Sequence, residues 1–152
     1  MTIKRGKLMI LACNSGRPFA NKVIEFINDI ADSESEDHVH LIDAKEVHFA
    51  NKGIKTKINE SIRGSDVYIF QDVANSKNGH SVDENFSALK SSIEAVWRSD
   101  ARYITAVIPV YPYARQDKQE GREGITAARV ARELENVNVN HIITIDIHNT
   151  AI

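Results

Sequence analysis

The sequence predicts an α/β fold in which a mostly parallel sheet is flanked by helices on both faces. Short runs of apolar and β-branched residues recur along the chain, and segments with apolar residues at helical spacing lie between them. Turn-forming residues, chiefly Gly, Ser, Asn and Asp, separate the two kinds of segment. Because parallel strands need crossover connections, this alternation favours a parallel sheet covered by helices.

The first strand and the first helix are predicted within residues 7–30. The run KLMILAC (residues 7–13) predicts a buried strand, and NSGRP (residues 14–18) supplies the turn that follows it. Apolar side chains then recur at helical spacing at Phe19, Val23, Ile27 and Ile30. The acidic stretch DSESED (residues 32–37) has no apolar framework around it, so we expect a solvated loop there.

The middle of the chain predicts three further strands and a second helix. The strands are expected at residues 39–42, 54–59 and 67–71, and the second of them alternates apolar or Thr residues with polar ones, which suits one exposed face. Ser81 and Glu84 fit a capping box at the start of the helix. Its buried stripe is predicted at Phe86, Leu89, Ile93 and Val96.

The last third of the chain predicts two more strands with a helix between them. The strands are expected at residues 103–110 and 141–147, and the helix at about residues 126–135. The segment YPYARQDKQEGREG, which connects the first of these strands to the helix, is rich in charged and polar side chains. It is therefore predicted to be a loop at the edge of the sheet.

Bulk composition limits the class of protein. The chain has 152 residues, of which 42% are hydrophobic, and this favours a single domain over residues 1–152. A net charge of -2 gives no general attraction to nucleic acid or to a membrane. The one cysteine, Cys13, excludes an internal disulfide and favours a reducing compartment. No apolar stretch reaches the ~20 residues that cross a bilayer, so we expect a soluble, cytoplasmic protein.

Candidate binding residues follow the last two predicted strands. Arg115, Gln116 and Asp117 come after one strand, and Asp146 and His148 close the next. The carboxyl edge of an open α/β sheet is where such folds bind phosphorylated ligands, and a guanidinium can hold phosphate oxygens with paired donors. The residues alone also allow a solvated loop with an internal Arg to Asp pair, and a His148 that is only a hydrogen-bonded strand end.

The same residues resemble a known family. The chain shows an aromatic-Pro-Tyr-Ala-Arg-Gln-Asp loop, then Arg-x-x-Ile-Thr-Ala, then Asp-x-His, and upstream it shows Phe-x-Asn and Ser-x-Arg-Gly segments. In this it is similar to the first half of the ribose-phosphate pyrophosphokinases (phosphoribosyl pyrophosphate synthetases), over residues from about Val47 to the end. The resemblance implies a phosphoribosyltransferase-like N-terminal domain.

The resemblance also implies an activity and a set of ligands. Family members transfer a diphosphoryl group from MgATP to the 1-hydroxyl of ribose 5-phosphate, which gives phosphoribosyl pyrophosphate and AMP. By this likeness Arg115 and Gln116 contact ATP, Asp117 belongs to the same loop, and His148 contacts Mg²⁺ or an ATP phosphate. No protein nucleophile is expected. Ribose 5-phosphate binds through a second domain that these residues do not contain, so the chain alone is expected to be inactive.

Two upstream segments are carried over in the same way. Phe49 and Asn51 match the family segment that reaches into a neighbouring subunit's ATP site, where the aromatic ring packs on adenine. A site that is completed across a subunit boundary implies a homo-oligomer. Ser61 and Arg63 match a turn that binds phosphate or a nucleoside diphosphate at an allosteric site in regulated members. A buried aromatic residue and an ordinary turn remain the alternatives.

The chain also departs from the family pattern. Gly53 stands where the family has an acidic residue that can bond the adenine amino group, and Gly124 and Ala128 replace a proline and a lysine. These losses motivate a second interpretation, in which the protein is a non-catalytic subunit that associates with phosphoribosyl pyrophosphate synthetases and keeps their fold and oligomer contacts.

Overall fold

The computed structural model describes residues 5–31, 38–75 and 77–149. The loop that was predicted at residues 32–37 therefore lies outside the described residues. In chain order the described elements are β1 (Leu8–Ala12), α1 (Arg17–Ile30), β2 (Ala44–His48), β3 (Ile54–Ile58), β4 (Asp66–Phe70), α2 (Val82–Arg98), β5 (Tyr103–Val107), α3 (Thr126–Asn136) and β6 (His141–Ile143).

Four strands form one sheet, in the order β1-β4-β5-β6, and each neighbouring pair is parallel. Side chains of successive residues point to opposite faces of this sheet. Phe70 and Val107 belong to the cluster that α1 covers. Val67 and Ile104 belong to the larger cluster, which contains buried apolar residues from both α2 and α3. The predicted α/β fold, with a mostly parallel sheet and helices on both faces, is confirmed.

Helix α2 is the best predicted element. Its four expected core residues, Phe86, Leu89, Ile93 and Val96, are at most 3% exposed. The capping box is present, since the Glu84 backbone N–H donates to Ser81 Oγ at 3.1 Å and the Ser81 N–H donates to Glu84 Oε2 at 2.8 Å.

Within the described ranges, no helix combines the length and the apolar character that crossing a bilayer requires.

Three predicted strands are much shorter than expected. Residues 39–42 form only an isolated parallel bridge, between Leu41 and Ile10 of β1. Strand β5 ends at Val107, and β6 ends at Ile143 with one further bridge between Val110 and Asp146. Pro109 gives the physical reason for the early ends of β5 and β6, because it has no N–H for the ladder and its carbonyl accepts two N–H groups from residues 145 and 146 instead.

The hairpin of β2 and β3 is a separate antiparallel pair. Strand β2 was not predicted, because three of its five residues are charged or His and alternation places few apolar side chains on one face. The hairpin is fixed to α2 by the Thr56 N–H, which donates to Ser91 Oγ at 3.0 Å, and by the Thr56 hydroxyl, which lies 2.8 Å from Ser92 Oγ. It therefore has a defined place beside the main sheet.

Cys13 is buried, as the sequence predicts, although it lies one residue beyond the end of β1. Burial raises the pKa of the Cys13 thiol to about 12, and its sulfur lies 3.2 Å from Ser92 Oγ. A thiol with so high a pKa carries almost no thiolate at neutral pH. Cys13 is thus a packing residue.

Glu133 links α2 to α3 and gives a pH-dependent prediction. Its carboxylate lies 2.5 Å from Lys90 Nζ and 2.8 Å from Arg129 Nη1. The hydrogen bond from Lys90, with the charges of Lys90 and Arg129, lowers the pKa of Glu133 below its ordinary value of 4.5. A carboxyl group whose pKa is lower in the folded state than in the unfolded state stabilises the fold. This stabilisation is fully present above the unfolded-state pKa and is lost as the pH falls through the folded-state pKa.

Glu133→Gln is therefore expected to lower the free energy of unfolding at pH 7 by about 0.5 kcal/mol, because the ion pair is partly exposed. The difference in the free energy of unfolding between this variant and the unsubstituted chain should become smaller as the pH falls below the ordinary pKa of glutamate. Urea titrations at a series of pH values measure it, with the exposed Glu135→Gln as the control. A difference that stays constant down to strongly acidic pH would contradict the assignment.

Candidate functional site

The candidate site lies at the carboxyl edge of the four-stranded sheet. All four strands run in the same direction, so the segments that follow them meet at this edge. The polar loop after β5 and the segment after β6 are joined here by the Asn149 amide, which donates to Asp117 Oδ2 at 2.9 Å. The two predicted groups of binding residues are thereby neighbours in space.

Two adjoining cavities share three of the predicted residues. One cavity, of about 400 Å³, is lined by Arg115, Gln116, Asp146 and His148 on its polar side, with apolar walls that include Val82. We call it the apolar-walled cavity. The other, of about 680 Å³, is lined by Arg115, Gln116, Asp117, Lys118, Thr126 and His148, among others. We call it the polar cavity. Arg115, Gln116 and His148 form the wall between them.

The polar cavity has charges of both signs. Arg115 and Lys118 face it, and so do Glu120 and Glu123. The first turn of α3 also lines it through Thr126, and no side chain caps this helix. Because the N–H groups of a first helical turn carry a partial positive charge, they favour an anion in front of them. The cavity therefore has hydrogen-bond donors beside its carboxylates, although the Ala127 N–H of this helix end already donates to the Gln116 carbonyl at 3.2 Å.

The apolar-walled cavity is shaped by two tyrosines of the loop after β5. The Tyr111 hydroxyl donates to the Ala127 carbonyl at 3.1 Å, which ties the loop to α3. The Tyr113 hydroxyl donates to Asp83 Oδ1 at 2.5 Å, which ties it to α2. Burial, and then the bond to Asp83, raise the pKa of Tyr113 to about 12. Burial raises the pKa of Tyr111 as well, so both hydroxyls stay protonated and able to donate at neutral pH.

Sequence reasoning did not find the partnership of Tyr113 with Asp83. The two residues are 30 positions apart, and neither the loop pattern nor the helix pattern connects them. One local signal existed, since Asp83 stands in the first turn of a predicted helix, where a carboxylate is common. That signal favours a stabilising charge, and it says nothing about a loop contact.

Asp146 and His148 line the same cavity, as the predicted alternation requires, although the strand that was expected to carry them ends earlier. Within residues 5–31, 38–75 and 77–149, no three His, Cys, Asp or Glu side chains are placed to hold a metal ion. One carboxylate and one imidazole suit an ion that brings further ligands of its own. Mg²⁺ usually binds through one or two carboxylates, with substrate phosphates and water completing its shell.

Phe49 and Asn51 lie elsewhere, in the turn between β2 and β3. Phe49 is 47% exposed, and the Lys55 ammonium is 5.7 Å from the centre of its ring. Asn51 Oδ1 accepts the Gly53 N–H at 3.0 Å. Neither side chain lines the two cavities. The structure does not bring them together with Arg115 within one chain, and the predicted alternative of a buried aromatic residue does not hold for Phe49.

Ser61 and Arg63 lie before β4, at the amino edge of the sheet and thus opposite the two cavities. The Arg63 guanidinium is paired with Asp100 Oδ2 at 2.9 Å and is largely exposed. Ser61 is exposed as well. Any ligand of this turn would be separated from the candidate site by the length of the sheet.

The fold is that of an α/β domain with a parallel sheet, and the candidate site lies at the carboxyl edge of that sheet. A family model for the N-terminal domain of ribose phosphate pyrophosphokinase matches residues 8–137. The chain therefore belongs to the ribose-phosphate pyrophosphokinase family, and the resemblance seen in the sequence is confirmed.

Individual relatives agree with this family. The chain is 35% identical over 153 residues to a ribose-phosphate pyrophosphokinase of Thermosipho africanus, covering 100% of this chain and 44% of that protein. It is 39% identical over 130 residues to one of Vibrio cholerae, covering 84% and 39%. A crystal structure of phosphoribosylpyrophosphate synthetase from Mycobacterium smegmatis matches with a TM-score of 0.81 and 30% identity, covering 95% of this chain and 44% of that one. The chain thus spans about two fifths of the length of these relatives.

Proposed function

We propose that this chain is the nucleotide-binding part of a ribose-phosphate diphosphokinase, and that MgATP binds across its two cavities. The observation that carries the proposal is the common wall of Arg115, Gln116 and His148. The sequence alone singled out these three residues, and they separate a cavity with apolar walls from one with polar walls. A nucleotide has the same two parts, a flat base with its sugar and a charged phosphate chain.

The chemistry that this site supports is positioning and charge neutralisation. In the proposed reaction the 1-hydroxyl of ribose 5-phosphate attacks the β-phosphorus of ATP, AMP leaves, and the hydroxyl proton passes to solvent. Arg115 supplies paired donors for phosphate oxygens, and the first turn of α3 supplies a partial positive charge beside them. Asp146 and His148 would hold the Mg²⁺, which neutralises the phosphate charge when it is bound.

Further partners follow from the proposal. Ribose 5-phosphate would bind through the part of the relatives that this chain does not match, so the 152 residues alone should give no product. The exposed Phe49 at the hairpin turn supports a contact with a neighbouring subunit, and a homo-oligomer in which each hairpin completes another subunit's ATP site. Ser61 and Arg63 are exposed at the opposite edge, where a regulatory phosphate would not compete with the substrate.

Isothermal titration of the chain with MgATP tests the proposal. We expect saturable binding that becomes weaker when EDTA removes Mg²⁺ or when His148→Ala removes the imidazole. An assay with ribose 5-phosphate and MgATP is expected to show no phosphoribosyl pyrophosphate. A chain that bound no nucleotide would refute the ATP site, and product formation by the chain alone would refute the need for a second domain.

The non-catalytic associated subunit remains the second candidate function. It is favoured by Gly53, Gly124 and Ala128, which replace an acidic residue, a proline and a lysine of the family pattern. This candidate predicts association with an active synthetase without nucleotide binding at Arg115. Copurification with an active synthetase, combined with no detectable MgATP binding in the titration, would favour the associated subunit over the enzyme.

A further inference from the structure

The backbone of Tyr113 is held in a conformation that aromatic residues rarely adopt. Its φ is 56°, in the left-handed region that favours glycine. Tyr113 lies two residues before Arg115, so this conformation determines where the chain points as it enters the shared wall of the cavities. An unfavourable backbone conformation of this kind persists only where surrounding contacts impose it.

Two hydrogen bonds and one packing contact impose it here. The Tyr113 hydroxyl donates to Asp83 Oδ1 at 2.5 Å, and the Tyr113 carbonyl accepts the Gln116 N–H at 2.8 Å. The tyrosine ring is half-buried against the large core cluster. The second bond closes a tight turn whose inner residues are Ala114 and Arg115. A bond at the ring end of Tyr113 is therefore connected, through one residue, to the turn that presents Arg115.

Asp83 is a firm partner for this bond. It lies in the first turn of α2, between Ser81 and Glu84, whose capping box fixes that end of the helix. The same helix is anchored by its buried apolar residues. The carboxylate thus has little freedom to follow the loop. Asp83 is consequently a rigid acceptor that can restrain the loop after β5.

We propose that the hydrogen bond between Tyr113 and Asp83 is a latch that positions Arg115 and Gln116 for the nucleotide. Both partners are positioning residues, and the nucleotide part of the inference rests on the proposed function. The bond connects the first turn of α2, which follows β4, to the loop that follows β5. The raised pKa of Tyr113 is consistent with this, because the hydroxyl keeps its proton throughout the neutral range.

Amide exchange without nucleotide tests the latch itself. Tyr113→Phe keeps the ring and removes the hydroxyl, and Asp83→Ala removes the acceptor. In both variants the Gln116 amide, measured by NMR, is expected to exchange about fivefold faster than in the unsubstituted chain, since one net hydrogen bond is lost. Asp83→Asn keeps an oxygen acceptor and should restore slow exchange. Tyr103→Phe, at the opposite end of β5, is the matched control and should change nothing.

MgATP titration of the same variants tests the consequence for binding. Tyr113→Phe and Asp83→Ala are expected to raise the Kd about fivefold, while circular dichroism should show both variants as fully folded as the Tyr103→Phe control. Asp83→Asn should bind nearly as well as the unsubstituted chain. Unchanged Gln116 exchange in both Tyr113→Phe and Asp83→Ala would overturn the latch. An unsubstituted chain that binds no MgATP would overturn the proposed function, and the exchange result would still decide whether the latch exists.

Discussion

Replacing Arg115 by alanine is expected to weaken MgATP binding by about 30-fold or more, because a hydrogen-bonded charge that faces phosphate contributes more than a neutral group. Arg115 is exposed and lines both cavities, so its removal leaves the fold intact while it opens the wall between them. Isothermal titration gives the Kd, and circular dichroism confirms that the variant is folded.

Two further variants sharpen this result. Arg115→Lys keeps the charge and loses the planar fork of donors, so its Kd should lie between those of the unsubstituted chain and Arg115→Ala. Arg98→Ala is the matched control, since Arg98 is paired with Glu94 on the surface of α2 and lines neither cavity. If Arg115→Ala bound MgATP as tightly as Arg98→Ala, the assignment of the ATP site to this loop would be wrong.

Replacing Gly16 by alanine is expected to lower the free energy of unfolding by about 3 kcal/mol or more, or to prevent folding. A Cβ at this position would lie 2.2 Å from the Phe70 carbonyl oxygen and 2.7 Å from the Gln71 nitrogen. Both contacts are with backbone at the end of β4, which cannot move without disturbing the sheet. Only a glycine lets the turn after β1 pass so close to β4 before α1 begins.

Gly124→Ala is the matched control for this prediction. An added Cβ at Gly124 meets no atom within 4 Å, so the stability of that variant should stay within about 0.5 kcal/mol of the unsubstituted chain. Urea denaturation followed by circular dichroism measures both variants. A Gly16→Ala protein as stable as the Gly124→Ala protein would show that the turn can relax, and that the packing of β1 against β4 is less rigid than the contact implies.

Local patterns predicted the elements whose own residues decide their structure. The stripe of α2 and its capping box follow from residues three and four positions apart, which meet on one helix whatever surrounds it. Strand β2 could not be predicted from its own residues, because its side chains are mostly polar and its partner strand lies across a turn. The strand expected at residues 39–42 was also predicted wrongly, since this segment forms one bridge to β1 and no continuous ladder.

For the candidate site, the sequence by itself determined that Arg115, Gln116 and His148 would share one edge of the sheet, because parallel strands leave their following loops on the same side. Only the tertiary structure decided that these residues divide two cavities, that Phe49 stands apart from them, and that Tyr113 is held by Asp83. Those arrangements depend on packing between residues far apart in the chain, and local periodicity cannot predict such contacts.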